Sequence, residues 1–484
     1  MIQTSKATSQ LKNTNCYYSM NKIWNFVKDI LSNLSAKISI YNKLESSIKI
    51  KMYLLAAGLA CFTFFLGFYS ITSRDNLQVS DEIAVFSSGI SLATRGTLEI
   101  DDLQWLQTGV NIGQIGRGNH LYTKYFPGNI FSVAIIYKLS KIPNDQPFLL
   151  ENHVIAPSLS GALSAMKVNA IFGALGITSL FFLLKRYFDW RTTIITVFLI
   201  GICSDWWYQS RGLLSEVGAG AFLTLSLCFA VYKKPYLSSF SFALSLFFRP
   251  QNIIALPIVF FAIYPIKRKT IFAGLIVIFG IFVLAFYNWF RFYSPINFGY
   301  GSENFSSSLL LGLFGVLLSP GRSLFLYSPI IVLAIPGIRL FFREEKLFTG
   351  VCVLTIIAYV IMIAKWDSWD GGVTWGSRLL TPIIPLLGFF IAPIIRNALK
   401  NKLDIIIILV LAVLGFSVQI LTLARDPWRV MGETVYNNQS PITYGQTLFT
   451  ISNSWMALQI RSLHNWHFCD LDAYTLRHLL FNCR

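Results

Sequence analysis

Apolar runs recur from residue 52 to residue 424, and the short polar stretches between them carry their basic residues in every second loop. Lys185, Arg186 and Arg191 follow 160–184; Lys233 and Lys234 follow 213–232; Lys267, Arg268 and Lys269 follow 250–266. Arg343 and Lys346 follow 323–342, and Arg396, Lys400 and Lys402 follow 379–395. The loop after 52–71 instead carries Asp81 and Glu82. Cytoplasmic loops of membrane proteins are the basic ones. The alternation therefore predicts an all-α polytopic membrane protein whose acidic first loop lies on the outer face, the side on which chemistry is to be sought.

A helix needs about 20 apolar residues to cross a bilayer, with shorter ones tolerated. The runs 52–71, 160–184, 190–206, 213–232, 236–249, 250–266, 270–291, 323–342, 347–364, 379–396 and 403–424 meet that description, which predicts about 11 spans. Arg249-Pro250 divides 236–266 into two short helices, because proline cannot continue the hydrogen-bond ladder of the preceding turn. The apolar stretches 128–142 and 307–318 are short, and reading them as interfacial helices keeps the basic loops on one side. Three outer loops follow: 72–159, 292–322 and 365–378. Residues 1–51 read as a basic cytoplasmic segment, 52–424 as the multi-pass domain, and 425–484 as an outer tail.

Composition agrees. Hydrophobic residues make up 54% and charged residues 13% of the 484, too little charge for the surface of a soluble chain of this length. The net charge of +17 would point to nucleic acid in a soluble protein. Here it reads as cytoplasmic anchoring charge against anionic lipid, and no nucleic-acid partner is expected. Residues 1–51 hold eight Lys and two acids, which places the N-terminus in the cytoplasm and makes 52–71 a retained signal anchor. The seven cysteines lack metal spacing, and Cys469 and Cys483 share the tail. No Walker A, Rossmann or nucleophile-elbow motif occurs, against ATP-driven transport and serine hydrolysis.

Three outer elements offer chemistry. Asp81 and Glu82 open a helix-like stretch, DEIAVFSSGISLATRG, shortly after the first span. A carboxylate there can take a proton from an acceptor hydroxyl, or the two can share a divalent ion such as Mg2+ or Mn2+. Equally, both acids favour a helix N-terminus through its dipole. Tyr122-Thr-Lys124-Tyr125-Phe-Pro127-Gly128 sets a lysine and two tyrosines before the interfacial helix. Lysine is a point charge suited to phosphate, but lysine and tyrosine also anchor at headgroup level. The stretch from Trp366 to Arg378 holds Trp369, Trp375 and two paired glycines; exposed tryptophans make sugar platforms, and an arginine at the membrane edge has a lipid phosphate as its natural partner. The alternative is an aromatic belt with one snorkelling arginine. Glu216, Arg249 and Arg322 are weaker candidates, with Arg211 the expected partner of Glu216.

In order and residue type these elements resemble the GT-C superfamily of integral-membrane glycosyltransferases, on the branch of protein O-mannosyltransferases and aminoarabinose transferases. The matching residues are Asp81, Glu82, Gly89, Leu92 and Gly96; Tyr122, Lys124, Tyr125, Pro127 and Gly128; and Trp369, Gly371, Gly372, Trp375, Gly376 and Arg378. The family more often shows two prolines where this chain has Phe126-Pro127. The resemblance implies transfer of a sugar from a polyprenyl-phosphate-linked donor on the outer face. It makes Asp81 the catalytic carboxylate with Glu82 assisting or binding a metal, and it makes Lys124 and Arg378 the residues that hold the donor phosphate. Tyr122, Tyr125, Trp369 and Trp375 would line the substrate. Implied partners are the lipid-linked donor, membrane lipids and a glycan, lipid or protein acceptor, and the Lys-rich N-terminus fits a bacterial inner membrane. The competing readings are a polysaccharide polymerase or ligase, a flippase for a lipid-linked saccharide, and a scaffold without catalysis. A flippase calls for ionisable groups at mid-helix and an internal repeat, neither of which the chain shows.

Overall fold

In hydrocarbon every backbone polar group needs an internal partner, so apolar runs of this length fold as helices. That is the outcome in the computed structural model, which describes residues 47–481 apart from 75, 108, 151, 265–267, 302, 400, 438 and 439. The chain forms two compact units, Met1–Leu59 and Ala60–Arg484. Of the first, the described residues are the opening turns of the helix Ser47–Ile71; the rest of the expected basic segment 1–51 lies outside the described residues. The following concerns the second unit.

The all-α expectation holds. Among the described residues six helices are long and apolar enough to cross a membrane: Ile50–Ile71, Leu159–Lys185, Thr270–Phe292, Lys346–Lys365, Arg378–Ala398 and Lys402–Ala424. Four more of the expected spans are shorter helices: Trp190–Ile202, Glu216–Val231, Pro235–Phe248 and Pro329–Phe342. The expected span 250–266 is a correction. Its chain runs as a 3-10 turn, Pro250–Ala255, and a seven-residue helix, Pro257–Ile263. Two prolines account for it. Each lacks an N–H and restricts the residue before it, and Arg249 takes an extended conformation, φ −146° and ψ 104°. Among the described residues the count of eleven spans is not confirmed.

The 72–159 loop folds around a core that it shares with Val168, Leu213, Tyr287 and Phe292. Helix Ser80–Thr94 packs against helix Pro127–Ser140, with Phe86, Ile130 and Val133 fully buried between them. Val133 and the Ile130 carbonyl leave no room for a side chain at Gly89. Two short antiparallel hairpins, Gly113–Ile115 with Leu121–Thr123 and Phe148–Leu150 with His153–Ala156, complete the layer. Pro127 occupies the first turn of its helix, where its missing donor costs nothing. The tail folds into helices Pro427–Thr434, Tyr444–Phe449, Trp455–Ser462 and Tyr474–Phe481. Val430, Met431, Trp455 and Leu458 form a second core with Tyr327, Trp375 and Val418. Cys469 is disulfide-bonded; Cys483, which shares the tail, lies outside the described residues.

Helix contact in the membrane domain depends on small residues. A Cβ on Gly337 would sit 1.7 Å from the Phe390 carbonyl oxygen, backbone that cannot swing aside. Gly337→Ala is expected to separate these segments at a cost of about 1–3 kcal/mol or more. A thermal-stability assay in detergent checks it, with Gly350→Ala, which meets nothing within 4 Å, as the neutral control.

Candidate active site

Asp81 and Glu82 are consecutive in the first turn of helix Ser80–Thr94, and about 100° of helical rotation sends their carboxylates in different directions. Asp81 meets Arg378, with Nη2 2.5 Å from Oδ2. Arg378 Nε in turn lies 3.3 Å from Glu216 Oε1, and Glu216 is also paired with Arg249. A chain of alternating charge, Asp81, Arg378, Glu216, Arg249, thus joins four segments far apart in sequence. The expected Arg211–Glu216 pair is absent; Arg211 pairs with Asp472 of the tail at 3.1 Å.

Lys124 follows strand Leu121–Thr123 directly, and its Nζ lies 2.6 Å from Glu303 Oε1 and above the ring of Tyr300. Its backbone is held from below. Buried Arg291 donates to the carbonyls of Thr123 and Tyr125, and Tyr287 donates to the carbonyl of Tyr125. These groups converge on one cavity of about 450 Å3, lined by Asp81, Lys124, Tyr125, Arg249, Glu303 and Arg378 together with Tyr300, Trp105, Trp366 and Trp428. Every cation in it is paired with a carboxylate.

Burial alone would raise the Asp81 carboxyl, but Arg378 and then Lys124 outweigh it and hold it at about 2. Burial, and then the adjacent Asp81 charge, push the Tyr125 phenol well above its ordinary value. The buried Tyr125 hydroxyl lies beside the Asp81 carboxylate and interacts with it as a hydrogen-bond donor.

Glu82 is a correction to the expected site. It is 1% exposed, pairs with Arg74 at 2.9 Å, and accepts the backbone N–H groups of Gln78 and Leu213 at 2.9 and 2.8 Å. Its bond to Gln78 resembles the back-bonding half of a capping box. With Asp81 committed to Arg378 and Glu82 to Arg74, the two carboxylates do not converge on one point, and they do not fit a shared Mg2+ or Mn2+.

Trp369 and Trp375 are not sugar platforms either. Trp375 is fully buried edge-on against Tyr327, and Trp369 packs on Gly315 and Phe449. Trp366 lines the cavity instead, with Tyr300 and Phe305 against its ring. Tyr122 alternates to the other face of its strand, toward Glu99 and Phe292, and away from the cavity. The Gly-rich loop still matters. Gly371, Gly372 and Gly376 adopt φ of 73°, 70° and 65°, and a Cβ on Gly371 would meet the Arg378 side chain at 3.0 Å. The loop backbone thus makes room for Arg378, and Arg322 fastens it by donating to the Gly372 carbonyl at 2.6 Å.

The tail braces the segment before Asp81. Gln78 donates to Asp426 at 2.7 Å and to Asp472 at 3.3 Å, and Tyr444 donates to Asp370 in the Trp/Gly loop. Sequence reasoning did not find Glu303 or Tyr300. Their signal was the glycine-flanked stretch Gly299-Tyr-Gly301 in the 292–322 loop, where both glycines have positive φ.

No protein-family model matches the chain, and no curated protein matches its sequence. Among solved structures the chain is similar to ArnT from Cupriavidus metallidurans bound to undecaprenyl phosphate, with 12% identity, TM-score 0.45, and coverage of 90% of this chain and 78% of that one. The apo form of ArnT gives 12%, 0.46, 89% and 77%. The archaeal oligosaccharyltransferase AglB from Archaeoglobus fulgidus, in complex with an inhibitory peptide and a dolichol-phosphate, gives 11%, 0.42, 82% and 62%.

Proposed function

We propose that this chain is a membrane glycosyltransferase that moves a sugar from a lipid-phosphate donor to an acceptor hydroxyl or amine, on the outward side of a bacterial inner membrane. The observation that carries the reading is the cavity itself. Two carboxylates, Asp81 and Glu303, and three cations line it, and the cations are held by carboxylates that a phosphate can replace. Arg378, Arg249 and Lys124 hold the donor phosphate, and Asp81 serves as base. The acceptor oxygen or nitrogen attacks the anomeric carbon, its proton passes to Asp81, and the bond from carbon to phosphate oxygen breaks with its electron pair. The cations stabilise the charge that develops on the leaving phosphate. A single displacement of this kind inverts the anomeric centre.

Donor binding and base activation are coupled in this arrangement. A carboxyl held at about 2 is a weak base. When the donor phosphate draws Arg378 away, burial becomes the main influence on Asp81 and its pKa rises. The acid limb of kcat, which reports the donor complex, is therefore expected at higher pH than that of kcat/KM for the donor. Coincident limbs in the two profiles would count against the coupling.

The deciding experiment incubates membranes with radiolabelled polyprenyl-phosphate sugar and compares wild type with Arg378→Ala and Lys124→Ala at matched expression. Label passing to an acceptor in wild type, with a raised donor KM in both variants, supports the reading. Label crossing the bilayer still attached to its carrier replaces it with a flippase.

A further inference from the structure

The residues Glu99-Ile-Asp101 lie as a short edge beside strand Leu121–Thr123. Glu99 bridges Tyr122, the Ile100 N–H donates to the Leu121 carbonyl at 2.8 Å, and the Leu121 N–H donates to Asp101 Oδ1 at 2.7 Å. That register brings Glu99 and Asp101 up against His120, the residue before the strand. One ligand atom from each lies within 4.8 Å of the other two. None of the three lines the cavity that contains Asp81.

The details favour a metal over an ordinary surface salt bridge. Asp101 Oδ2 lies 2.6 Å from His120 Nδ1. A carboxylate on Nδ1 holds the proton there and leaves Nε2 with its lone pair free, the arrangement that carries metal-ligating histidines. Nε2 lies 4.0 Å from Glu99 Oε1. Bonds of about 2.0–2.2 Å to a tetrahedral zinc ion place neighbouring ligand atoms about 3.4 Å apart, so closure needs a shift of about 0.6 Å. His120 is 45% exposed and Glu99 28%, so both have room to make that shift and to admit water ligands. The Tyr122 hydroxyl donates to the same oxygen, Glu99 Oε1, at 3.5 Å. Neighbouring cations are engaged elsewhere: Arg95 with Asp102 at 2.6 Å, and Arg117 over the rings of Tyr293 and Trp289.

We infer that His120 Nε2 and the Glu99 carboxylate bind a zinc ion, with Asp101 orienting the imidazole and water completing the shell. An imidazole with carboxylates suits zinc, whereas magnesium keeps an octahedral oxygen shell and several of its waters. The ion fastens the 99–101 edge to the strand that runs directly into Lys124. It is a positioning site and does not touch the reacting atoms. The inference stands independently of the proposed transfer reaction.

The test uses the full-length protein purified in detergent, stripped with chelator and dialysed against zinc, with bound metal measured directly. Wild type is expected to hold one zinc per chain, and His120→Ala and Glu99→Gln none above background. Asp101→Asn is expected to bind about 10–100-fold more weakly, as loss of an orienting partner does. His153→Ala, whose ring stacks on Trp105, serves as the control that keeps its zinc. Zinc raises the thermal midpoint of wild type and leaves that of His120→Ala unmoved. Should His120→Ala lose its fold, Glu99→Gln, a near-isosteric change at a half-exposed position, decides alone. Equal zinc in wild type and Glu99→Gln, or displacement of zinc by an equal concentration of magnesium, overturns the site.

Discussion

Asp81→Asn is expected to lower the rate of sugar transfer by about 10²–10⁴-fold, the usual contribution of a positioned general base. The loss falls on kcat, because the substitution leaves the donor's ligands in place and removes the carboxylate that competes with the donor phosphate for Arg378. Donor KM therefore stays level or falls. Folding is little affected, since Arg378 keeps Glu216 at 3.3 Å as a counter-charge. Turnover in membranes at matched expression checks this, with donor concentration varied. Undiminished kcat in Asp81→Asn removes Asp81 from the mechanism.

Glu82→Ala, one residue along the chain, has the opposite signature. It leaves the Arg74 guanidinium buried, with side-chain exposure of 2%, and takes the acceptor from two backbone N–H groups. Removing one partner of a buried ion pair costs about 3–5 kcal/mol, because the other charge stays behind uncompensated. The Arg74 surroundings add to the cost. Gln78, Tyr208, Asp426 and Asp472 share one network with it, and Asp426 and Asp472 belong to the tail. The expected result is a large fall in thermal midpoint and in folded yield. Glu82→Gln, which keeps an acceptor, should fall less. An unchanged midpoint in Glu82→Ala would show that the network carries no stability. The pair of variants separates two adjacent acids, one whose loss costs rate and one whose loss costs fold.

The reason the two acids differ is not visible in the residues Asp81-Glu82 themselves. Alternation and helical period place neighbours on different faces, but which face meets a cavity depends on segments hundreds of residues away. Arg378 is 297 positions from Asp81, and the two tail carboxylates that reach Gln78, Asp426 and Asp472, are 348 and 394 positions from it. The same holds for the aromatic loop. Its tryptophans read alike in sequence, yet Trp366 reaches the cavity while Trp375 is sealed beneath it.

What the sequence determined by itself is the fold class, the stop at Arg249-Pro250, the helix opening at Pro127, and the candidacy of Asp81, Lys124, Tyr125 and Arg378. Each rests on a local rule: apolar length, a missing N–H, or a charge at the end of an apolar run. Tertiary structure decided which charges pair, which tryptophan stays open, and that Glu303, Glu216 and Arg249 belong with them. A buried charge requires a counter-charge, and its identity follows from which helices pack together, a global choice that no local pattern encodes.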